Sequence, residues 1–144
     1  MYGLQTDSLE LALSDVNYQI YGALYNFKAL EDWSLCPSGW HIPSEIEWLE
    51  MARSLGASNV VGLSLKRTFG GWAGSDLSGF GGLPGGRRNF SKGYVHMSTK
   101  GYWWSMPQNG GQQRSFLLTM DSQGFSQPTE DKRLGISVRC VRTD

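Results

Sequence analysis

The sequence predicts an α+β domain with two helices early, an antiparallel sheet assembled mostly late, and long irregular connections between them. Three observations carry this reading. Ser44 followed three residues later by Glu47 is a capping box, in which each side chain satisfies the other's free backbone donor at a helix start. Phe116, Leu118 and Met120, and then Ile136, Val138 and Cys140, repeat with the period of two that belongs to strands. Glycine makes up 19 of 144 residues and is concentrated between these two regions, at 69–93, where it favours turns over a helical bundle. A chain of this length is one domain's worth and can bury a core.

Taken in order, residues 1–17 read as a polar N-terminal tail or edge segment, and 18–144 as a single domain. Residues 18–25 are rich in aromatics and predict a strand ended by Asn26. Phe27–Glu31 predicts a short helix. Residues 36–48 are the most informative stretch. Pro43 fixes the approach to the helix, the capping box starts it, and Trp40 and Trp48 flank the turn as anchors. The main helix is expected at 45–55 with Gly56 as its C-terminal cap. Trp48, Met51, Ala52 and Leu55 form its broad apolar face, and Ile46, Leu49 and Arg53 a second stripe. A second helix is expected at 59–66, with Val60, Leu63 and Leu65 inward. The glycines of 69–93 lack the Lys-Ser/Thr ending and the strand-to-helix setting of a phosphate-binding loop, so a tightly folded loop region is expected. Strands follow at 101–105, 115–121 and 134–142. The expected core anchors are Trp40, Trp48, Trp104, Phe116, Leu118, Ile136 and Val138.

Thirteen basic and thirteen acidic residues give a formal charge of zero, which removes any bulk attraction to nucleic acid or an anionic membrane. No run approaches the roughly 18 apolar residues of a membrane span, and the segment from Met1 lacks the basic start and apolar run of a leader. His41 and His96 are the only histidines. His41, between Trp40 and Ile42, reads as a packed turn residue. No triad order, HExxH or DxDxDG pattern is present. Glu45, Glu47 and Glu50 are accounted for by capping, the helix dipole and a solvated face. Arg87-Arg88 fits an anion grip, a solvated loop or a buried ion pair. The expectation is therefore no catalytic residue, no metal and no cofactor. Cys36 and Cys140 fit no metal-finger spacing. They are either two buried thiols or one bridge closing nearly the whole domain, which would add on the order of 4 kcal/mol and imply an oxidising compartment.

Five motifs occur in a characteristic order: 21–26 (YGALYN), 36–43 (CPSGWHIP) with Glu47-Trp48, 78–80 (SGF) with 83–86 (LPGG) and Arg88, 101–105 (GYWWS), and 135–141 (GISVRCV). Together they resemble the Fibrobacter succinogenes major paralogous domain, common in surface proteins and lipoproteins of Bacteroidetes-like bacteria, over about residues 18–142. That family is similar to the formylglycine-generating, sulfatase-modifying branch of the C-type lectin fold. The resemblance implies a C-type-lectin-like domain: two helices, a twisted antiparallel sheet, and terminal segments brought together. It also implies that Cys36 and Cys140 pair.

Two departures shape the functional expectation. The reactive cysteines of the formylglycine-generating enzymes have no counterpart in 106–133. Gln127-Pro128-Thr129 matches half of a lectin calcium motif, but the Trp-Asn-Asp strand is missing. The expected function is a non-enzymatic, adhesin-like binding module at the cell surface or outside the cell, for a protein or glycan ligand. Its binding face would be loops 106–114 and 122–133 beside Trp103, with Met106, Gln108, Asn109, Gln112, Gln113, Gln123, Phe125, Gln127 and Lys132 as contacts. Aromatic anchors among adaptable polar groups are the chemistry of recognition surfaces. The same region is diversified by retroelements in some C-type-lectin-like proteins. The alternatives are an enzyme of the formylglycine-generating branch and a purely structural module of a surface or fibre protein.

Overall fold

A two-stranded antiparallel hairpin lies at the centre of the molecule with a hydrophobic core on each face. The computed structural model describes residues 8–32, 35–57, 59–91 and 93–144; the first seven residues of the expected tail lie outside them. The chain runs α1 (Leu9–Ser14), α2 (Val16–Tyr21), a 3-10 turn (Phe27–Glu31), β1 (Trp40–His41), α3 (Glu45–Ser54) and α4 (Val61–Leu65). A second 3-10 turn (Gly70–Trp72) and strands β2 (Arg87–Arg88), β3 (Tyr94–Val95), β4 (Lys100–Ser105), β5 (Arg114–Thr119) and β6 (Val141–Arg142) complete it. The class is α+β. Its sheet is divided into three short antiparallel pairs, β1–β6, β2–β3 and β4–β5.

The β4–β5 hairpin is the platform. Trp103 lies opposite Phe116, and Tyr102 opposite Leu117. Strand alternation therefore sends Trp103, Phe116 and Leu118 to one face and Tyr102 and Trp104 to the other. The first set packs with Trp48, Ala52, Val61, Leu65 and Trp72. The second packs with Phe27, Leu30, Ile42, Leu134 and Ile136. Residues 101–105 are all buried as a result. Trp48 joins the two cores: its ring stacks on Phe116 at 4.7 Å, and its Nε1–H donates to the Trp104 carbonyl at 3.4 Å.

Helix α3 forms as its sequence dictates. The Glu47 N–H donates to Ser44 Oγ at 3.3 Å and the Ser44 N–H to Glu47 Oε2 at 2.8 Å, the reciprocal bonds of a capping box. Burial pushes the Glu47 carboxyl up, but the Ser44 donors and His41 outweigh it and hold the group below its ordinary value. His41 is a connector: Nε2 meets Glu47 at 2.6 Å and Nδ1 meets Thr143 Oγ1 at 2.9 Å, which ties the end of the chain to the start of α3. Strand β1 pairs with β6, and Cys36 and Cys140 form a disulfide with Cα atoms 5.8 Å apart. The bridge closes the same region.

Several expectations are corrected. Residues 18–25 are not a strand. Asp15 caps α2 by accepting from the N–H groups of Asn17 and Tyr18 at 2.8 and 3.2 Å, and α2 ends at Gly22; only Tyr25 makes a β-bridge, to Ile136. Trp40 is 46 % exposed. It follows the turn closed by its own N–H to the Pro37 carbonyl at 2.9 Å, and it stands at the lip of a cleft of about 490 Å³ that Phe80 and Arg139 also line. In α4 Leu65 is inward as expected, but Leu63 is only half-buried and Val61 takes the place expected of Val60, which precedes the helix and is exposed. The cause is Gly62: its N–H donates to the Gln123 carbonyl at 2.7 Å, and a Cβ there would sit 2.6 Å from that oxygen. That close approach sets which face of the helix is buried. Residues 134–142 are not one strand but β-bridges at Gly135, Ile136 and Ser137 followed by β6. Met120 is exposed. The glycine-rich stretch contributes Trp72 to the core, 1 % exposed, with the Lys66 ammonium 4.9 Å above its ring.

Candidate ligand-binding surface

Loop 107–113 lies at one end of the hairpin, whereas 122–133 starts at the other end and returns along β5 to meet it. Strand β4 leads into 107–113 and β5 returns from it. The Met106 N–H donates to the Pro43 carbonyl at 2.8 Å, and the Gln113 carbonyl accepts from the Glu130 N–H at 2.8 Å, so both ends of this loop are fixed to the scaffold. After β5 the chain turns at the far end of the hairpin, where the Ser122 carbonyl accepts from Lys66 Nζ at 2.6 Å and the Gln123 carbonyl from Gly62. Six strand residues separate these ends by roughly 17 Å.

Residues 126–130 then run back along β5 as an added ladder. Leu117 and Ser126 exchange N–H···O bonds of 2.9 and 3.0 Å, and the Ser115 N–H donates to the Pro128 carbonyl at 3.1 Å. Side chains reinforce it. Gln127 Nε2 donates to the Glu45 carbonyl at 3.1 Å, and Arg114 Nη1 donates to the Gln127 carbonyl at 2.7 Å. Glu130, 4 % exposed in its side chain, accepts from Arg87 Nη1 and from Ser115 Oγ, each at 2.8 Å. Burial pushes its carboxyl up, against the pull of Ser115 and Arg87. Arg87 is thus held in a buried ion pair, one of the readings its sequence allowed. It also lies 5.1 Å over the Tyr102 ring, whose hydroxyl meets His96 Nδ1 at 2.8 Å.

This geometry sorts the sequence candidates. Trp103 is 5 % exposed and packs edge-on to Phe80 at 5.2 Å, as part of the first core rather than of the loop surface. A strand covered on both faces has no display side. Phe125 is half-buried and stacked on Phe116 at 4.9 Å, and Met106 is half-buried against the second core. Gln113 and Gln127 are half-buried, and Gln127 serves as a clamp. Gln108, Asn109 and Gln112 are exposed together at one end; the Gln112 side-chain oxygen accepts from Thr129 Oγ1 at 3.1 Å. Gln123 is exposed at the other end, and Lys132 is exposed where its carbonyl accepts from the Phe27 N–H. Sequence reading missed that 126–130 is scaffold. The signal available was the alternation of Phe125, Gln127 and Thr129 with smaller or rigid neighbours.

Among the described residues, no group of three or more His, Cys, Asp or Glu is placed to hold a metal ion, and no helix is long and apolar enough to cross a membrane. Residues 4–142 match the family described as the Fibrobacter succinogenes major domain. The chain belongs to that family. The match starts ahead of α1 and ends in β6, so the Fibrobacter succinogenes major domain here takes in both N-terminal helices and the disulfide. No curated protein and no solved structure matches the chain.

Proposed function

We propose that this domain is a non-enzymatic, adhesin-like binding module of an extracellular or bacterial cell-surface protein, a lipoprotein among the possible carriers, with a C-type-lectin-like fold. The observation that carries the reading is the set Gln108, Asn109 and Gln112. Three exposed amides share one short loop, and both ends of that loop are bonded to a rigid scaffold. Amides supply adaptable donors and acceptors for a protein or glycan, and a fixed loop loses little entropy on binding. The pairing of β1 with β6 under the Cys36–Cys140 bridge supports the lectin-like reading, since it brings distant ends of the chain together. The bridge also engages both cysteines, which speaks against the thiol chemistry of the formylglycine-generating branch. If retroelements diversify this chain, sibling sequences vary at Gln108, Asn109 and Gln112 and keep Trp103, Phe116 and Glu130.

Glycan and protein arrays test the reading with the double variant Gln108→Ala, Gln112→Ala. Its unfolding midpoint is expected to stay close to that of the parent, because exposed positions usually contribute within about 0.5 kcal/mol each. Its array signal is expected to disappear, while a chelator leaves the parent's signal intact. Chelator-sensitive binding, or a double variant that binds as the parent does, contradicts the proposal.

A further inference from the structure

We propose a second binding site, separate from the 107–113 loop, for a carboxylate-bearing saccharide in the cleft between α2 and the β2–β3 pair. The cleft encloses about 430 Å³, within the range of about 300–1,000 Å³ of small-molecule sites. Its floor exists because Gly22 adopts φ +76° and ψ −166°, a conformation only glycine takes up readily. Gly22 ends α2 there and swings 23–25 alongside. Tyr18, Tyr21 and Tyr25 line the cleft from this segment, and Arg88 and Tyr94 line it from the hairpin.

Three features select the ligand. The hydroxyls of Tyr18, Tyr21, Tyr25 and Tyr94 make no hydrogen bond within the described residues, so the cleft carries four free polar tips; Tyr25 packs against the second core and Tyr21 meets Phe69 edge-on, while Tyr18 and Tyr94 line it from its two sides. Aromatic faces suit the C–H side of a sugar ring, and free hydroxyls suit its hydroxyl groups. The Arg88 side chain has no ion pair or hydrogen bond among the described residues, although its backbone is fixed to Gly135 by bonds of 2.9 and 2.8 Å. Its neighbour Arg87 has Glu130, whereas Arg88 has no carboxylate among the described residues. Among the described residues the one acid lining the cleft is Asp15, whose Oδ1 caps α2. A rooted guanidinium with an empty fork matches a carboxylate through two parallel N–H···O bonds.

The test is titration of the isotope-labelled full chain, followed by NMR, with tetragalacturonate, the neutral cellotetraose and inorganic phosphate. Tetragalacturonate alone is expected to shift the signals of Asn17, Tyr18, Arg88 and Tyr94. Arg88→Gln is expected to weaken it at least tenfold, and Tyr94→Phe, which removes only a hydroxyl, at least threefold. The Gln108→Ala, Gln112→Ala variant is expected to bind it as the parent does, so the loop reading and the cleft reading fail separately. No binding of tetragalacturonate, shifts centred elsewhere, equal binding of cellotetraose or phosphate, or a Tyr94→Phe variant that binds as the parent does would each overturn the proposal.

Discussion

Replacing Trp48 with alanine is expected to lower stability by about 3–5 kcal/mol in denaturant unfolding. The side chain is 1 % exposed. It stacks on Phe116 at 4.7 Å and meets the edge of Phe80 at 5.8 Å, and it donates to the Trp104 carbonyl across the two cores. Its removal therefore opens a cavity and leaves a buried acceptor with one bond fewer. The same change at Trp40, 46 % exposed, is expected to cost far less. A loss under about 1 kcal/mol at Trp48 would show that α3 is not seated on the hairpin as described.

Removing the disulfide through Cys36→Ala with Cys140→Ala is expected to cost about 4 kcal/mol, the chain entropy released when so long a loop opens. Domains of this kind have only about 5–15 kcal/mol in total, so the variant sits near the edge of folding. The β1–β6 pair, two residues on each strand, is the element expected to separate first. The mass of the unreduced protein should fall two hydrogens short of its reduced form. Two freely alkylated cysteines in the native protein would contradict the bridge.

What the sequence disclosed was local or strongly patterned. The Ser44–Glu47 box, the buried face of α3 and the β4 and β5 strands were legible because each is decided by residues a few positions apart. The 18–25 run was misread because its tyrosines carry strand preference only where a sheet is there to pack them; the Asp15 cap and Gly22 instead enclose a helix. Trp103 was misplaced for a related reason. The unbroken run 101–105 shows no alternation because the hairpin is covered on both faces, so its pattern does not say which side Trp103 takes. The second ladder at 126–130 depends on Glu130 reaching Arg87, 43 positions away, which no local pattern announces. Arg87 and Arg88 are alike in sequence, where the pair fits an anion grip or an ion pair; only the fold separates them, by giving Arg87 the Glu130 carboxylate.

The ladder formed by β5 and residues 126–130 is locked scaffold, and the polar loop at 107–113 beside it is on display. Amide hydrogen exchange tests it without any ligand. The amides of Ser115, Leu117, Ser126 and Glu130, all bonded in the β5 ladder, are expected to exchange only through near-global opening. Those of Gln108, Asn109 and Gln112 are expected to exchange orders of magnitude faster. Exchange at Ser126 and Glu130 as fast as at Asn109 would contradict the account.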